Sequence, residues 1–240
     1  MSTALVTGGG TGIGRALARQ LAAAGTPVLI VGRDRARLEA VAAEHPGMIT
    51  ALPADLADPA AVDALIDTVT RDHPGLSLLI NNAAVQVPMR LMQASLPALR
   101  AEIAINLAAP VALAAGLLPV LARHPDAAVV NITSALAVAP KAAAPVYGAT
   151  KAALRNFSRA LRYQCEDERT GVAVLDVVMT LVDTAMTAGR GGKAKISPEK
   201  AAAAVMAAIA RRRRETWVGP TWVIRFLDRL CPPLAYRILR

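Results

Sequence analysis

Aromatic side chains are scarce in this sequence: Phe, Trp and Tyr together make up 3% of 240 residues. A core must therefore be filled by Ala, Val, Leu and Ile, and the 54% hydrophobic content is ample for one domain of α/β size. Only two cysteines occur, Cys165 and Cys231. They are too few and too irregularly placed for a disulfide framework or a metal centre, and no metal is expected. The opening stretch, MSTALVTGGG, has neither a basic segment nor a long apolar one. A secretory signal is not expected, and the cytoplasm is the expected compartment.

One uncharged run, residues 103–122, reaches about the length of a bilayer span. It is rich in Ala rather than Leu and contains Asn106, Pro110, Gly116 and Pro119. A helix buried against a sheet, and against a partner subunit, is the preferred reading.

Charge is unevenly distributed. Of the formal +9, residues 186–240 hold all of it, with 12 Lys+Arg against 3 Asp+Glu, while residues 1–185 carry 15 of each sign. Such asymmetry marks a nucleic-acid surface, an anionic membrane surface or a solubility feature. The run Arg211 to Arg214 falls at the expected end of a helix, where it complements the macrodipole and stays in water, and so gives no reason to expect nucleic acid.

The chain alternates short apolar runs with helical segments. Strands are predicted at 3–7, 27–31, 48–52, 76–80, 127–130, 172–178 and 216–219. Helices are predicted at 15–24, 35–44, 59–71, 96–122, 147–165 and from 198 to the arginine run, with Ser197 as N-cap and Pro198 at the first helical position. Near-continuous apolar strands separated by helices point to a parallel sheet covered on both faces. The expected fold is a Rossmann-type, doubly wound, essentially parallel seven-stranded sheet within a single domain, residues 1–219.

Residues 220–240 read as a basic amphipathic tail. Trp222, Val223, Phe226, Leu227 and Leu230 recur at helical spacing with Arg225 and Arg229 between them. Such a tail suits packing on a sister subunit, contact with an anionic membrane, or capture of a hydrophobic substrate.

Two stretches carry chemistry. After the first strand comes Thr7-Gly8-Gly9-Gly10-Thr11-Gly12-Ile13-Gly14, then a helix. Strand, glycine turn and helix together let a pyrophosphate rest on backbone N–H groups and on the positive end of the helix dipole. The second stretch, residues 131–151, ends an apolar strand in Asn131-Ile132-Thr133-Ser134 and then places Tyr147 and Lys151 four apart at the start of a helix, on one face. An ammonium beside a phenol favours the phenolate and prepares Tyr147 for proton transfer near neutral pH, with Ser134 able to hold the reacting oxygen. The loop between them is small and apolar apart from Lys141, which suits an apolar or neutral carbonyl compound.

The glycine spacing together with Ser134, Tyr147 and Lys151 resembles the short-chain dehydrogenase/reductase family, over residues 4 to about 219. The resemblance implies an NAD(P)-dependent oxidoreductase acting on a carbonyl or secondary alcohol. It implies Tyr147 as general acid and base, Lys151 as its partner and a ribose ligand, Ser134 as stabiliser of the reacting oxygen and Asn106 as organiser of a water relay. It implies cofactor contacts from Gly8, Gly10, Thr11, Gly12, Ile13 and Gly14. It extends them to Asp55 and Leu56 at the adenine, Asn82, Ala83 and Ala84 along the dinucleotide, and Val182 and Thr184 at the nicotinamide. Gly32 stands where NAD-type members carry Asp, and Arg33 follows it, so NADP is expected, with NAD served by Asp34 as the alternative. Met179-Thr180 replaces the family's Pro-Gly, and Ala84 replaces a Gly. The segment 185–196, with Gly189, Gly191 and Gly192, is expected to form a lid. A homodimer or homotetramer through the helices of Asn106 and Tyr147 is also implied. The rival readings are a non-catalytic dinucleotide sensor on the same fold and a peripheral membrane or nucleic-acid binder acting through the tail.

Overall fold

The computed structural model describes residues 2–88, 90–189, 195–233 and 236. Seven strands form one sheet: β1 (Thr3–Thr7), β2 (Val28–Gly32), β3 (Ile49–Pro53), β4 (Leu76–Asn81), β5 (Ala128–Ser134), β6 (Ala173–Met179) and β7 (Glu215–Trp217). Their spatial order is β3-β2-β1-β4-β5-β6-β7, and every pairing is parallel. The order reverses between β1 and β4, which opens a crevice at the carboxyl ends of the strands.

Strand residues alternate between two core layers, as the period of two requires. Ala4, Val6, Ile30, Ile80 and Val130 face α1 (Gly12–Ala23), α2 (Arg35–Ala42) and α7 (Pro198–Ala210). Leu5, Val31, Leu79 and Val129 face α3 (Pro59–Asp72), α5 (Ala109–Leu121) and α6 (Pro145–Asp167). α4 (Leu96–Ile103) and α8 (Thr221–Leu230) are two further helices among the described residues. Helix starts follow their local chemistry. Asp58 and Ser197 cap α3 and α7 by accepting from Ala60 N and Lys200 N, each ahead of a proline.

β5 keeps its expected polar end, Asn131 to Ser134, and those polar residues find partners across the sheet. Other expected boundaries move. α7 stops at Ala210, since Arg212 adopts a left-handed φ of 47°, and the arginine run forms the turn into β7. The long apolar run is not one regular helix: α4 and α5 are joined by a π-helical segment, Ala104–Ala108, centred on Asn106. Leu96–Leu121 is long and apolar enough to cross a membrane by length and composition. In this fold Leu113, Leu117 and Leu121 of that run are fully buried in the core layer that covers β4 and β5.

Candidate active site

β1 ends at Thr7, and α1 begins at Gly12. Gly8 and Gly12 hold left-handed φ values of 70° and 52°. A Cβ on Gly14 would lie 2.1 Å from the Gly8 carbonyl oxygen, and one on Gly12 would lie 2.9 Å from Thr184 Cγ2. The turn therefore closes under α1 only with glycine at these places, and it brings the loop after β6 over the helix start. Thr11, the N-cap, makes no side-chain cap bond. The first-turn N–H groups are left for an anion, so the residues fit a dinucleotide pyrophosphate. Thr7 locks the facing strand end. Its Oγ1 accepts from Asn82 N at 3.0 Å and Ala83 N at 2.9 Å, while Asn82 Nδ2 donates to the Thr7 carbonyl at 2.8 Å.

Beyond β2, Arg33 is exposed next to the crevice. Asp34 is committed elsewhere: it caps α2 by accepting from Arg37 N at 3.1 Å and pairs with Arg37 Nε at 2.9 Å. A Cβ on Gly10 would sit 3.5 Å from Arg37 Cβ, so this second arginine stands beside the glycine turn. Arg37 is not legible as a site residue from the sequence, because only the packing of α2 on the turn reveals it. Asp55 is exposed and accepts from Ala57 N at 2.9 Å, and Leu56 is buried beneath it in the core.

A cavity of about 650 Å³ joins this cradle to the carboxyl ends of β5 and β6. Of the expected site residues, Gly8, Thr11, Gly12, Ile13, Asn82, Ala83, Ala84, Ser134, Tyr147, Lys151, Val182 and Thr184 line it. Gly10, Gly14, Arg33, Asp55, Leu56 and Asn106 do not. Gly14 and Asn106 lie behind the wall, Leu56 is in the core, and Gly10, Arg33 and Asp55 lie outside the cavity.

Ser134 ends β5 half-buried, its Oγ accepting from Leu136 N at 3.2 Å. α6 supplies Tyr147 and Lys151 from successive turns. Lys151 is 2% exposed, its Nζ donates to the Ile132 carbonyl at 2.9 Å, and Nζ lies 5.8 Å from the centre of the Tyr147 ring. Burial pushes the ammonium pKa down to about 8, against the opposing pull of Asp176. The lysine thus anchors α6 to β5 and sets the distance from phenol to sheet.

Asn106 is fully buried. Its Oδ1 accepts from Val85 N and its Nδ2 donates to the Val85 carbonyl, both at 2.8 Å, with a further contact to Thr150 Oγ1 at 3.3 Å. Thr150 in turn donates to the Tyr147 carbonyl at 2.8 Å. The side chain therefore clamps the segment after β4 to the Tyr147 helix. The π turn that carries it is a form common at functional sites and was not predicted by a simple helical period.

Beneath the cavity runs a buried polar layer. Asn81 Nδ2 donates to Asn131 Oδ1, and Asn131 Nδ2 to Ser158 Oγ, both at 2.8 Å. Thr133 donates to Asp176 Oδ1 at 2.5 Å, and Arg155 pairs with Asp176 Oδ2 at 2.8 Å. Desolvation raises the Asp176 carboxyl above its ordinary value while Arg155 opposes this. Its only sequence signal is an Asp inside the otherwise apolar β6.

The far wall comes from the segment after β6, with Met179, Thr180, Leu181, Ala185, Met186 and Thr187, and from the start of α8. Thr180, in the place of the family's glycine, packs on Gly219, where a Cβ would lie 3.0 Å from Thr180 Cγ2. Pro220, Thr221, Val223 and Ile224 line the cavity, a role the helical spacing of the tail alone does not disclose. Thr187 braces the segment by donating to the Val182 carbonyl, and Val182 bridges to Ile196. Gly191 and Gly192 of the expected lid lie outside the described residues.

Comparison with known proteins agrees with this geometry. The profile of the short chain dehydrogenase family matches residues 2–194. An uncharacterized oxidoreductase, DltE of Bacillus subtilis (strain 168), is 40% identical over 187 residues, covering 77% of this chain and 73% of the relative. A short-chain dehydrogenase from Sphingobium yanoikuyae, solved in complex with NADPH, superposes with a TM-score of 0.86 at 29% identity, covering 98% of this chain and 95% of that one. The bulky-bulky ketone specific alcohol dehydrogenase from Comamonas testosteroni gives 0.80 at 25% identity, covering 98% and 93%. The glycine turn, the β5–α6 constellation and these likenesses converge on one assignment: this chain belongs to the short-chain dehydrogenase/reductase family of NAD(P)-dependent oxidoreductases.

Proposed function

We propose that the protein interconverts a small apolar or neutral carbonyl compound and its secondary alcohol with NADP(H), using Tyr147 as the general acid and base. The observation that carries this reading is the meeting of Ser134, Tyr147 and the buried Lys151 in the same cavity as the glycine cradle. The chemistry a bound nicotinamide dinucleotide supplies is hydride transfer. Gly8, Gly12, Ile13, Asn82 and Thr184 would hold it. In reduction, Tyr147 donates its phenolic proton to the carbonyl oxygen, and Ser134 donates a hydrogen bond to that same oxygen. The Lys151 ammonium stabilises the phenolate left behind. Asn106 holds the π turn and the Tyr147 helix together, the place from which a water relay would re-protonate the site. The apolar side chains of Leu136, Leu181, Val223 and Ile224 in the cavity wall favour a substrate without charge.

NADP rather than NAD is supported by Arg33 and Arg37 beside the crevice and by the commitment of Asp34 to its helix cap. The NADPH complex of the Sphingobium relative points the same way. Assembly as a homodimer or homotetramer is part of this reading, supported by Ile103 and Tyr163, large apolar side chains left exposed on the helices of Asn106 and Tyr147.

The test is a fluorescence titration with NADPH and NADH of the wild type, Arg33→Ala and Arg37→Ala. The expected result is preferential NADPH binding, weakened about tenfold or more by either substitution with little change for NADH, the size of a lost charge-assisted contact. Binding of NADH alone would overturn the cofactor assignment.

A further inference from the structure

We propose that α8 docks this protein on an anionic phospholipid surface, with Trp222, Phe226 and Leu230 entering the interface and the neighbouring arginines holding lipid phosphate. The three apolar residues stand four apart, on one stripe of the helix. They are 62%, 58% and 68% exposed. Scattered apolar residues are ordinary on a surface, but a continuous stripe of large ones marks a contact face. The opposite side of α8 is fixed to the body: Thr221 and Ile224 are buried, and Ile224 packs with Ala139 and Leu227.

The flank of the stripe supplies the charge. Arg225 and Arg229 project into a second cavity of about 350 Å³, whose walls also hold Arg155, Arg159, Glu215 and Asp228. Two of the guanidinium groups stack on the Trp217 ring, Arg155 at 4.7 Å and Arg225 at 5.4 Å from its centre. One carboxylate, Glu215, meets Arg155 at 3.1 Å, Arg159 at 2.9 Å and Arg225 at 4.0 Å. Arg155 is further satisfied by Asp176. The remaining donors of Arg159, Arg225 and Arg229 therefore outnumber the acceptors facing them, the composition that suits a phosphate oxygen cluster.

Charge also decides between occupants. Around the second cavity four arginines, Arg155, Arg159, Arg225 and Arg229, stand against two carboxylates, Glu215 and Asp228. Two copies of this face brought together would repel, whereas a lipid surface bearing anionic headgroups attracts it. Nucleic acid would use the arginines but leave the Trp222, Phe226 and Leu230 stripe without a partner. Because Val223 and Ile224 on the same helix wall the catalytic cavity, the docked face and the active site share one element.

The experiment is co-sedimentation of the full chain with vesicles of mixed phosphatidylglycerol and phosphatidylcholine, and with phosphatidylcholine alone. Binding is expected to the anionic vesicles only, with the bound fraction reduced about tenfold by Trp222→Ala/Phe226→Ala and by Arg229→Glu, and lost at high salt. Circular dichroism melting checks that each variant stays folded, and light scattering reports its mass. Three outcomes would overturn the proposal: no vesicle binding by the wild type, equal binding to uncharged vesicles, or binding indifferent to the double substitution. A wild-type dimer that falls to monomer on the double substitution, without vesicle binding, would make the face a subunit contact. DNA binding that survives the double substitution, with no vesicle binding, would make it a nucleic-acid surface.

Discussion

On the β1 side of the cleft the wall is backbone. Gly8 and Gly14 bring main chain against main chain, Gly12 makes room for the Thr184 side chain, and Thr7 and Asn82 tie the ends of β1 and β4 together by side-chain bonds to backbone. On the β6 side the wall is made of side chains, those of Met179, Thr180, Leu181, Val182, Thr184 to Thr187 and the first turn of α8. The first arrangement has few sequence solutions, because an added Cβ collides. The second has many, because a pocket wall tolerates any side chains that fill it and leave no polar group unpaired. On the proposed reading the dinucleotide meets the rigid side and the carbonyl substrate the adaptable one.

Substitutions should separate the two sides. Gly14→Ala drives a Cβ to within 2.1 Å of a carbonyl oxygen. It is expected to destabilise the fold by about 3 kcal/mol or more and to abolish dinucleotide binding, read by denaturation and by NADPH fluorescence. Gly25→Ala, with a φ of 82° but nothing within 4 Å, serves as the control and should lose about 1 kcal/mol with binding unchanged. Asp176→Asn removes the charge that holds Arg155. It should cost about 2–3 kcal/mol in chemical denaturation while leaving cofactor affinity close to wild type.

Lys151, which ties α6 to β5, gives the fold a pH signature. Its ordinary pKa of 10.5 falls to about 8 in the fold. Between these values the unfolded chain binds a proton that the native chain does not, so stability should rise with pH across that window. The buried charge weakens the fold most below pH 8, by about 3 kcal/mol, and this penalty is gone above 10.5. Denaturation curves for wild type and Lys151→Met check this, the variant lacking the rise. The smallest effect is expected from Val223→Ala/Ile224→Ala. Enlarging the pocket should change KM for a bulky ketone by about tenfold while KM for NADPH stays constant. A shift in the NADPH value instead would erase the distinction between the two walls.

The same contrast explains what was legible. The glycine turn is readable because sterics dictate residue types at fixed spacing. Tyr147 and Lys151 are readable because four residues on a helix define a face. The parallel sheet follows from apolar runs alternating with helices. Arg37, Asp176 and the inner residues of α8 were not readable as site residues, since each reaches the site through packing between segments far apart in sequence. The π turn at Asn106 escaped because one inserted residue leaves the apolar pattern of the run almost unchanged.

Proton transfer by Tyr147 beside the glycine cradle is put to the test with Tyr147→Phe. NADPH affinity and NADPH-dependent reduction of a bulky, uncharged ketone are measured side by side in wild type and variant. The expected result is affinity within about twofold of wild type and a kcat lower by about 10²–10⁴-fold, the contribution of a positioned general acid. A variant that binds NADPH and reduces the ketone at the wild-type rate would contradict it.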